Sequence, residues 1–183
     1  MVQGIKEIYK KIKTVVSDAT FEDLFKRGHY FKYSVSLKGE KQRLSEFKHE
    51  VEHQKGKIVF TVVVPDANLL VEYKRPELAD KYKEHGRFAN LYELALLGAE
   101  QPYLQQNFEA LFALGSHIRG MDGKLFPYLG YEMHDNGGMA IHNLPRKRSM
   151  LLCQGYDVSS IAHSVLLPTG VVFVDYPKKK KST

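Results

Sequence analysis

Three groups of side chains in this chain have types and spacings suited to chemistry. The first is histidine-rich: His117, Arg119, Asp122, His134, Asp135 and His142 fall in one stretch. Imidazoles and carboxylates near loops ligate metals or move protons, and His134 and His142 can face each other across Asp135-Asn136-Gly137-Gly138. That turn sequence is also what a tight hairpin needs by itself. No H-E-x-x-H or H-x-H spacing accompanies it. The second group is Asp66, Glu72 and Lys74, two carboxylates and a lysine close together in sequence. The third group is basic. Arg146, Lys147 and Arg148 form one run, and Lys178, Lys179, Lys180 and Lys181 form another near the C-terminus. Exposed lysines and arginines neutralise phosphates and release counterions whatever the base sequence. Lys32 and Arg27 lie close in sequence to Tyr30, Phe31 and Tyr33, which offer surfaces on which bases can stack.

Pro65-Asp66, followed by Glu72-Tyr73-Lys74 within Val71–Pro76, resembles the PD-(D/E)xK nuclease pattern. The local order of helix, strands, E-x-K strand and helix is similar to that family's core. The resemblance implies a Mg²⁺-dependent nuclease, with the acidic residues on the metal and Lys74 at the water. If Asp66 lies in a tight turn, Glu72 sits about four residues back along its strand, roughly 13 Å away. A shared metal then requires Glu46, from the preceding hairpin, in place of Asp66. His163 and Ser164, close to Ser159 and Ser160, have the types for a Ser–His pair, but no G-x-S-x-G elbow surrounds them. Neither a G-x-x-x-x-G-K-[ST] loop nor a G-x-G-x-x-G fingerprint is present, so dedicated nucleotide binding is not indicated.

The elements that must position these residues are set by composition and period. With 183 residues, the chain is long enough to bury a core without staples. Its 43% hydrophobic and 26% charged content is that of a globular chain. There is no Trp, so aromatic packing falls on ten Phe and eleven Tyr. The single cysteine, Cys153, excludes an internal disulfide framework and sits in the apolar run Met150-Leu151-Leu152, where a buried inert thiol is expected. Lysines interrupt the apolar residues at the N-terminus, which is not a signal-peptide profile, and no apolar run reaches the ~20 residues of a membrane span. A reducing, cytoplasmic setting without a membrane partner is the expectation. The lysine tail resembles a monopartite nuclear import signal, which implies the nucleus for a eukaryotic or eukaryotic-virus source. The formal charge of +6 favours polyanions.

Ile5, Ile8, Tyr9, Ile12, Val15 and Val16 recur at helical spacing with Lys6, Lys10 and Lys13 opposite, which predicts a helix. Thr20 caps a short helix containing Phe21, Leu24 and Phe25, which Gly28 ends in the left-handed conformation. From His29 to Leu37 the period becomes two. Leu44, Phe47 and Val51 fit a helix, but the alternation of Phe47, His49, Val51 and His53 favours a strand over Leu44 to His53, with Gln54-Lys55-Gly56 turning into Ile58–Val64, the strongest strand signal in the chain. Leu69 to Lys74 returns as a fourth strand, and Pro76 opens a helix running to Glu84. Phe88–Ala99 and Pro102–Leu114 read as an antiparallel pair of helices stopped by Gly115. Tyr128–His134, Met139–Asn143, Ser149–Gln154, Ser160–Leu167 and Val171–Tyr176 then read as a meander, with Pro168-Thr169-Gly170 as its last hairpin loop.

The resulting expectation is an α+β fold: N-terminal helices, an antiparallel β-meander, a central helical layer, then a second antiparallel β-meander. One domain spans residues 1–177, followed by a flexible basic tail over 178–183. Function is read as a non-catalytic nucleic-acid-binding or nucleic-acid-associated accessory protein gripping the phosphate backbone through Arg146, Lys147, Arg148 and Lys178 to Lys181, with Lys32 and Arg27. No cofactor is expected unless the Mg²⁺ nuclease reading holds. A structural or assembly protein, of viral or phage type, is the third class, forming oligomers through the apolar segment Leu91–Leu114 and strand edges.

Overall fold

Ile58 to Val64 is the most β-prone run of the chain, and the sheet is built around it. The computed structural model describes residues 10–16, 19–28, 33–34, 46–52, 56–65, 75–101, 103–108, 110–120, 123–131, 148–154 and 168–175. In chain order these form β1 (Lys10–Val16), α1 (Phe21–Arg27), β2 (Tyr33–Ser34), β3 (Lys48–His49), β4 (Gly56–Val63) and α2 (Arg75–Lys81). A 3₁₀ turn (Lys83–His85), β5 (Arg87–Phe88), α3 (Leu91–Glu100) and a second 3₁₀ turn (Leu104–Asn107) follow. The last elements are β6 (Ala110–Phe112), β7 (Ser116–Gly120), β8 (Gly123–Tyr131), β9 (Arg148–Gln154) and β10 (Thr169–Asp175). Helices and strands are thus mixed in an α+β chain.

The strands pair edge to edge in the order β1-β4-β10-β6-β8-β9-β2. β5 continues the edge of β10 beyond β6, and β7 does the same beside β8. β3 attaches through β7. Register is continuous: Val63, Val171, Phe112, Tyr128, Leu151 and Ser34 lie in one row across six strands. Two pairings are parallel, β10 with β6 and β2 with β9. The C-terminal strand is therefore not the end of a meander. It inserts between β4 and β6, and Thr169-Gly170, read above as a hairpin loop, begins the strand itself.

Because side chains alternate along a strand, this sheet buries two faces. Phe60, Val62, Leu111, Leu129, Val172 and Val174 pack with Leu24 of α1 and with Leu91, Leu94 and Leu97 of α3. On the opposite face Val63, Phe112, Phe126, Val171 and Phe173 pack with Leu78 of α2 and with Tyr82. Helices thus lie on both faces rather than in one central layer. Each such side chain contributes roughly 1.5–3 kcal/mol on full burial, which is why a doubly covered strand can be apolar throughout. Val171 to Val174 shows this, buried at every position.

The helix predicted through Ile5–Val16 is overturned over Lys10–Val16, which pairs antiparallel with β4. Ile12, Thr14, Val15 and Val16 are β-branched, and such residues lose rotamer freedom in a helix. A short apolar pattern that fits either period goes to the edge where partner hydrogen bonds are on offer. Pro102–Leu114 is likewise not a helix: a 3₁₀ turn at Leu104–Asn107 leads into β6, where Ala110, Leu111 and Phe112 are all buried. The run Ala110 to Leu114 has no polar side, which marks a doubly covered strand better than an amphipathic helix. The helix predicted from Pro76 to Glu84 ends as α-helix at Lys81 and tightens into the 3₁₀ turn. Gly28 closes α1 with φ −74°, not in the left-handed region. No described helix is long and apolar enough to cross a membrane.

Candidate functional site

Three segments distant in sequence meet at the amino end of α3: residues 46–52, residues 87–93 and residues 115–117. α3 starts where Asn90 caps it. The Asn90 side chain accepts from the Glu93 amide at 2.9 Å, and the Glu93 carboxylate accepts from the Asn90 amide at 2.9 Å. This reciprocal box satisfies two of the backbone donors that every helix start leaves over. Glu93 also takes both guanidinium nitrogens of Arg87, at 2.6 and 2.8 Å. The Glu93 side chain is fully buried and that of Arg87 is 14% exposed.

From this frame hydrogen bonds reach out to the segment around β3. Arg87 Nη2 donates to the Glu52 carbonyl at 3.4 Å and Asn90 Nδ2 to the Val51 carbonyl at 3.2 Å. The Glu50 amide donates to the Gly115 carbonyl at 3.0 Å, while the Gly115 amide donates to Ala89 at 2.9 Å. Gly115 sits so close to this backbone that a Cβ would come 2.7 Å from the Ala89 oxygen.

Ser116 is at the centre. It is fully buried, and its Oγ accepts the Leu91 amide proton at 2.8 Å while lying 2.7 Å from His49 Nδ1. If the hydroxyl proton lies on the Oγ–Nδ1 line, both groups are satisfied and the imidazole carries its proton on Nε2. One register position away, His117 Nδ1 lies 3.8 Å from Glu50 Oε1. A serine held between an amide and an imidazole has the elements of an activated nucleophile. Its complete burial keeps substrate from the oxygen in this arrangement, so the contact joins β3 to β7 and to α3.

The predicted site residues fall as follows. Asp66, Glu72 and Lys74 lie outside the described residues, as do Lys32, Arg146, Lys147, Lys178 to Lys181, His134, His142, Asp122, Asp135, His163 and Ser164. Glu46 is described and exposed at the start of the β3 segment. Arg27 forms an ion pair with Glu100 of α3. Arg119 is exposed on β7, opposite Lys124. Arg148 opens β9 opposite Tyr131, and Cys153 lies opposite Phe126. Among the described residues no group of three His, Cys, Asp or Glu side chains is arranged to hold a metal.

Sequence reasoning missed His49, Ser116 and the Arg87–Glu93 pair. His49 and Ser116 are 67 positions apart and meet through the β3–β7 pairing alone, which no local pattern announces. The Asn90-x-x-Glu93 spacing was a readable signal, because it is a capping box placed just before an apolar run. Compared with family models, with curated proteins and with solved structures, the chain matches none.

Proposed function

We propose that this protein binds nucleic acid through its phosphate backbone, using the basic segments that lead in sequence into β2 and β9. The observation that carries the reading is the parallel pairing of β2 with β9, which sets Tyr33 beside Met150. Parallel strands start at the same end, so the chain enters β2 and β9 side by side. Lys32 is bonded directly to Tyr33, and Arg146-Lys147 leads directly into Arg148. The described strands that follow these two basic segments, more than a hundred positions apart in sequence, are thereby neighbours. Convergence of that kind suits a polyanion, which rewards each cation by counterion release.

The other candidates contribute differently. The chain leaves β10 at Asp175, seven register rows along the sheet from Arg148, which is roughly 23 Å at ~3.3 Å per residue. Lys178 to Lys181 follow Asp175 in sequence and are proposed as a second contact. Arg27 is already paired with Glu100 and contributes least. The test is filter binding of single- and double-stranded DNA and RNA at rising salt. The slope of log affinity against log salt should be negative and should flatten when Arg146, Lys147 and Arg148 are all changed to Ala. Absence of binding at low ionic strength, or binding insensitive to salt, would overturn the reading.

A further inference from the structure

The segment Glu46–Glu52 enters the sheet through two strand residues, Lys48 and His49. Phe47 anchors it in the core beneath, and the Glu50 amide, the Val51 carbonyl and the Glu52 carbonyl hold it by single hydrogen bonds. His49 Nδ1 and Ser116 Oγ also share a hydrogen bond of 2.7 Å. We propose that this bond is a pH-dependent latch, closed while the His49 imidazole is neutral and opened by its protonation, which releases Glu46–Glu52 from β7 and from the amino end of α3.

Ser116 Oγ has two described partners: the Leu91 amide, a donor, and His49 Nδ1. The serine's own proton therefore needs Nδ1 as acceptor. An imidazolium carries a proton on both nitrogens and accepts nothing. On protonation the serine proton would be stranded in a fully buried site, and a buried donor without an acceptor is costly. The new cation would also stand beside the start of α3, the positive end of the helix dipole. His49 is solvent-exposed, so protons reach it from bulk water, and histidine ordinarily titrates near pH ~6.5.

The surrounding charges do not cancel this. Among the described residues they are Glu46, Lys48, Glu50 and Glu52 on the segment itself, His117 and Arg119 on β7, and the Arg87–Glu93 pair beside α3. His117 works in the opposite sense, because its protonation strengthens the approach to Glu50. That contact spans 3.8 Å, longer than a hydrogen bond, and the Glu50 side chain is 34% exposed, so solvent screens it. Glu46, Glu50 and Glu52 favour the imidazolium while Lys48 and Arg119 oppose it, but all five are exposed and screened by solvent, unlike the short bond into a buried site.

Amide exchange on the full-length chain tests the latch, because the Glu50 N–H to Gly115 bond reports directly on segment docking. After correction for intrinsic exchange rates, protection at Glu50 should fall by about tenfold or more between about pH 7.5 and about pH 5.5. Protection at Ala89, bonded to Val172 within the core, should stay constant. His49→Asn keeps an acceptor near the Nδ1 position and does not titrate, so its Glu50 amide should stay protected at both pH values. Unchanged Glu50 protection in the wild type, or an equal fall in His49→Asn, would overturn the proposal. Imidazole ¹⁵N shifts of the wild-type protein near neutral pH give a check that needs no variant: they should show His49 protonated at Nε2, and a proton on Nδ1 there would overturn it as well.

Discussion

Arg87 and Glu93 form a two-pronged ion pair whose carboxylate is wholly buried and also accepts the amide of the helix cap Asn90. One side chain thus starts α3, fixes β5 beside it and, through Arg87 Nη2, touches the β3 segment. Removing one partner strands a buried charge. Glu93→Ala or Arg87→Ala should each lower unfolding free energy by about 3–5 kcal/mol, as is typical for breaking a buried pair. A volume-matched apolar replacement of both residues should recover much of that. Urea denaturation of the two single variants and the double variant measures the difference, and additive single losses would show that the pair is not a unit.

Gly86 has φ +99°, and a Cβ there would fall 2.0 Å from the Val174 carbonyl oxygen. The position needs both a left-handed backbone and the absence of a side chain. It is what lets the chain turn from the 3₁₀ segment into β5 against β10. Gly86→Ala should cost about 2–4 kcal/mol, at the upper end of single-residue effects. The same change at Gly28, which has an ordinary helical φ of −74°, gives the comparison for conformation. Thermal melts of both variants would reveal whether φ and close approach set the cost, with Gly86→Ala the more damaging.

Acid should weaken the start of α1 specifically. The Thr20 side chain and backbone donate hydrogen bonds to Asp23, with Lys26 and Arg27 adding attraction, and these hold its carboxyl below the ordinary carboxylate range. A carboxyl depressed on folding contributes stability above its unfolded value and loses it as pH falls through the folded one. Fraying at Phe21 and Leu24 should therefore begin below about pH 4. In Thr20→Ala the NMR titration midpoint of Asp23 should rise toward the ordinary carboxylate value. An unchanged midpoint would mean that Thr20 is not the main cause.

These residues also show how much the sequence could tell. Thr20 as a cap and the apolar spacing of Phe21, Leu24 and Phe25 marked α1 correctly, and the Ile58–Val64 run marked β4, because both signals are local. The Lys10–Val16 strand was hidden because its apolar residues satisfy a helical period, and what decides between the two is a partner more than forty positions away. Leu111 and Phe112 face opposite sides of one strand, an arrangement that depends on both faces of the sheet being covered. His49 and Ser116 carry no mutual signal at all. What escaped the sequence was the long-range pairing that brings the β3 segment and Ser116 to the locally built start of α3.

The nucleic-acid reading makes a prediction that separates its own candidates. Lys32 and Arg27 are similar in sequence context, each basic and next to the aromatic stretch Tyr30 to Tyr33. Arg27, however, is already paired with Glu100 of α3, whereas Lys32 immediately precedes the strand that starts beside β9. Each cation that contacts a duplex phosphate adds about 0.9 to the slope of log affinity against log salt. Lys32→Ala should therefore flatten the slope for duplex DNA by close to that amount, and Arg27→Ala should leave it nearly unchanged. Arg27→Ala should instead loosen α1 from α3, which a small fall in melting temperature would register. Equal slope changes in the two variants would mean that the sheet end formed by β2 and β9 is not where the polyanion binds.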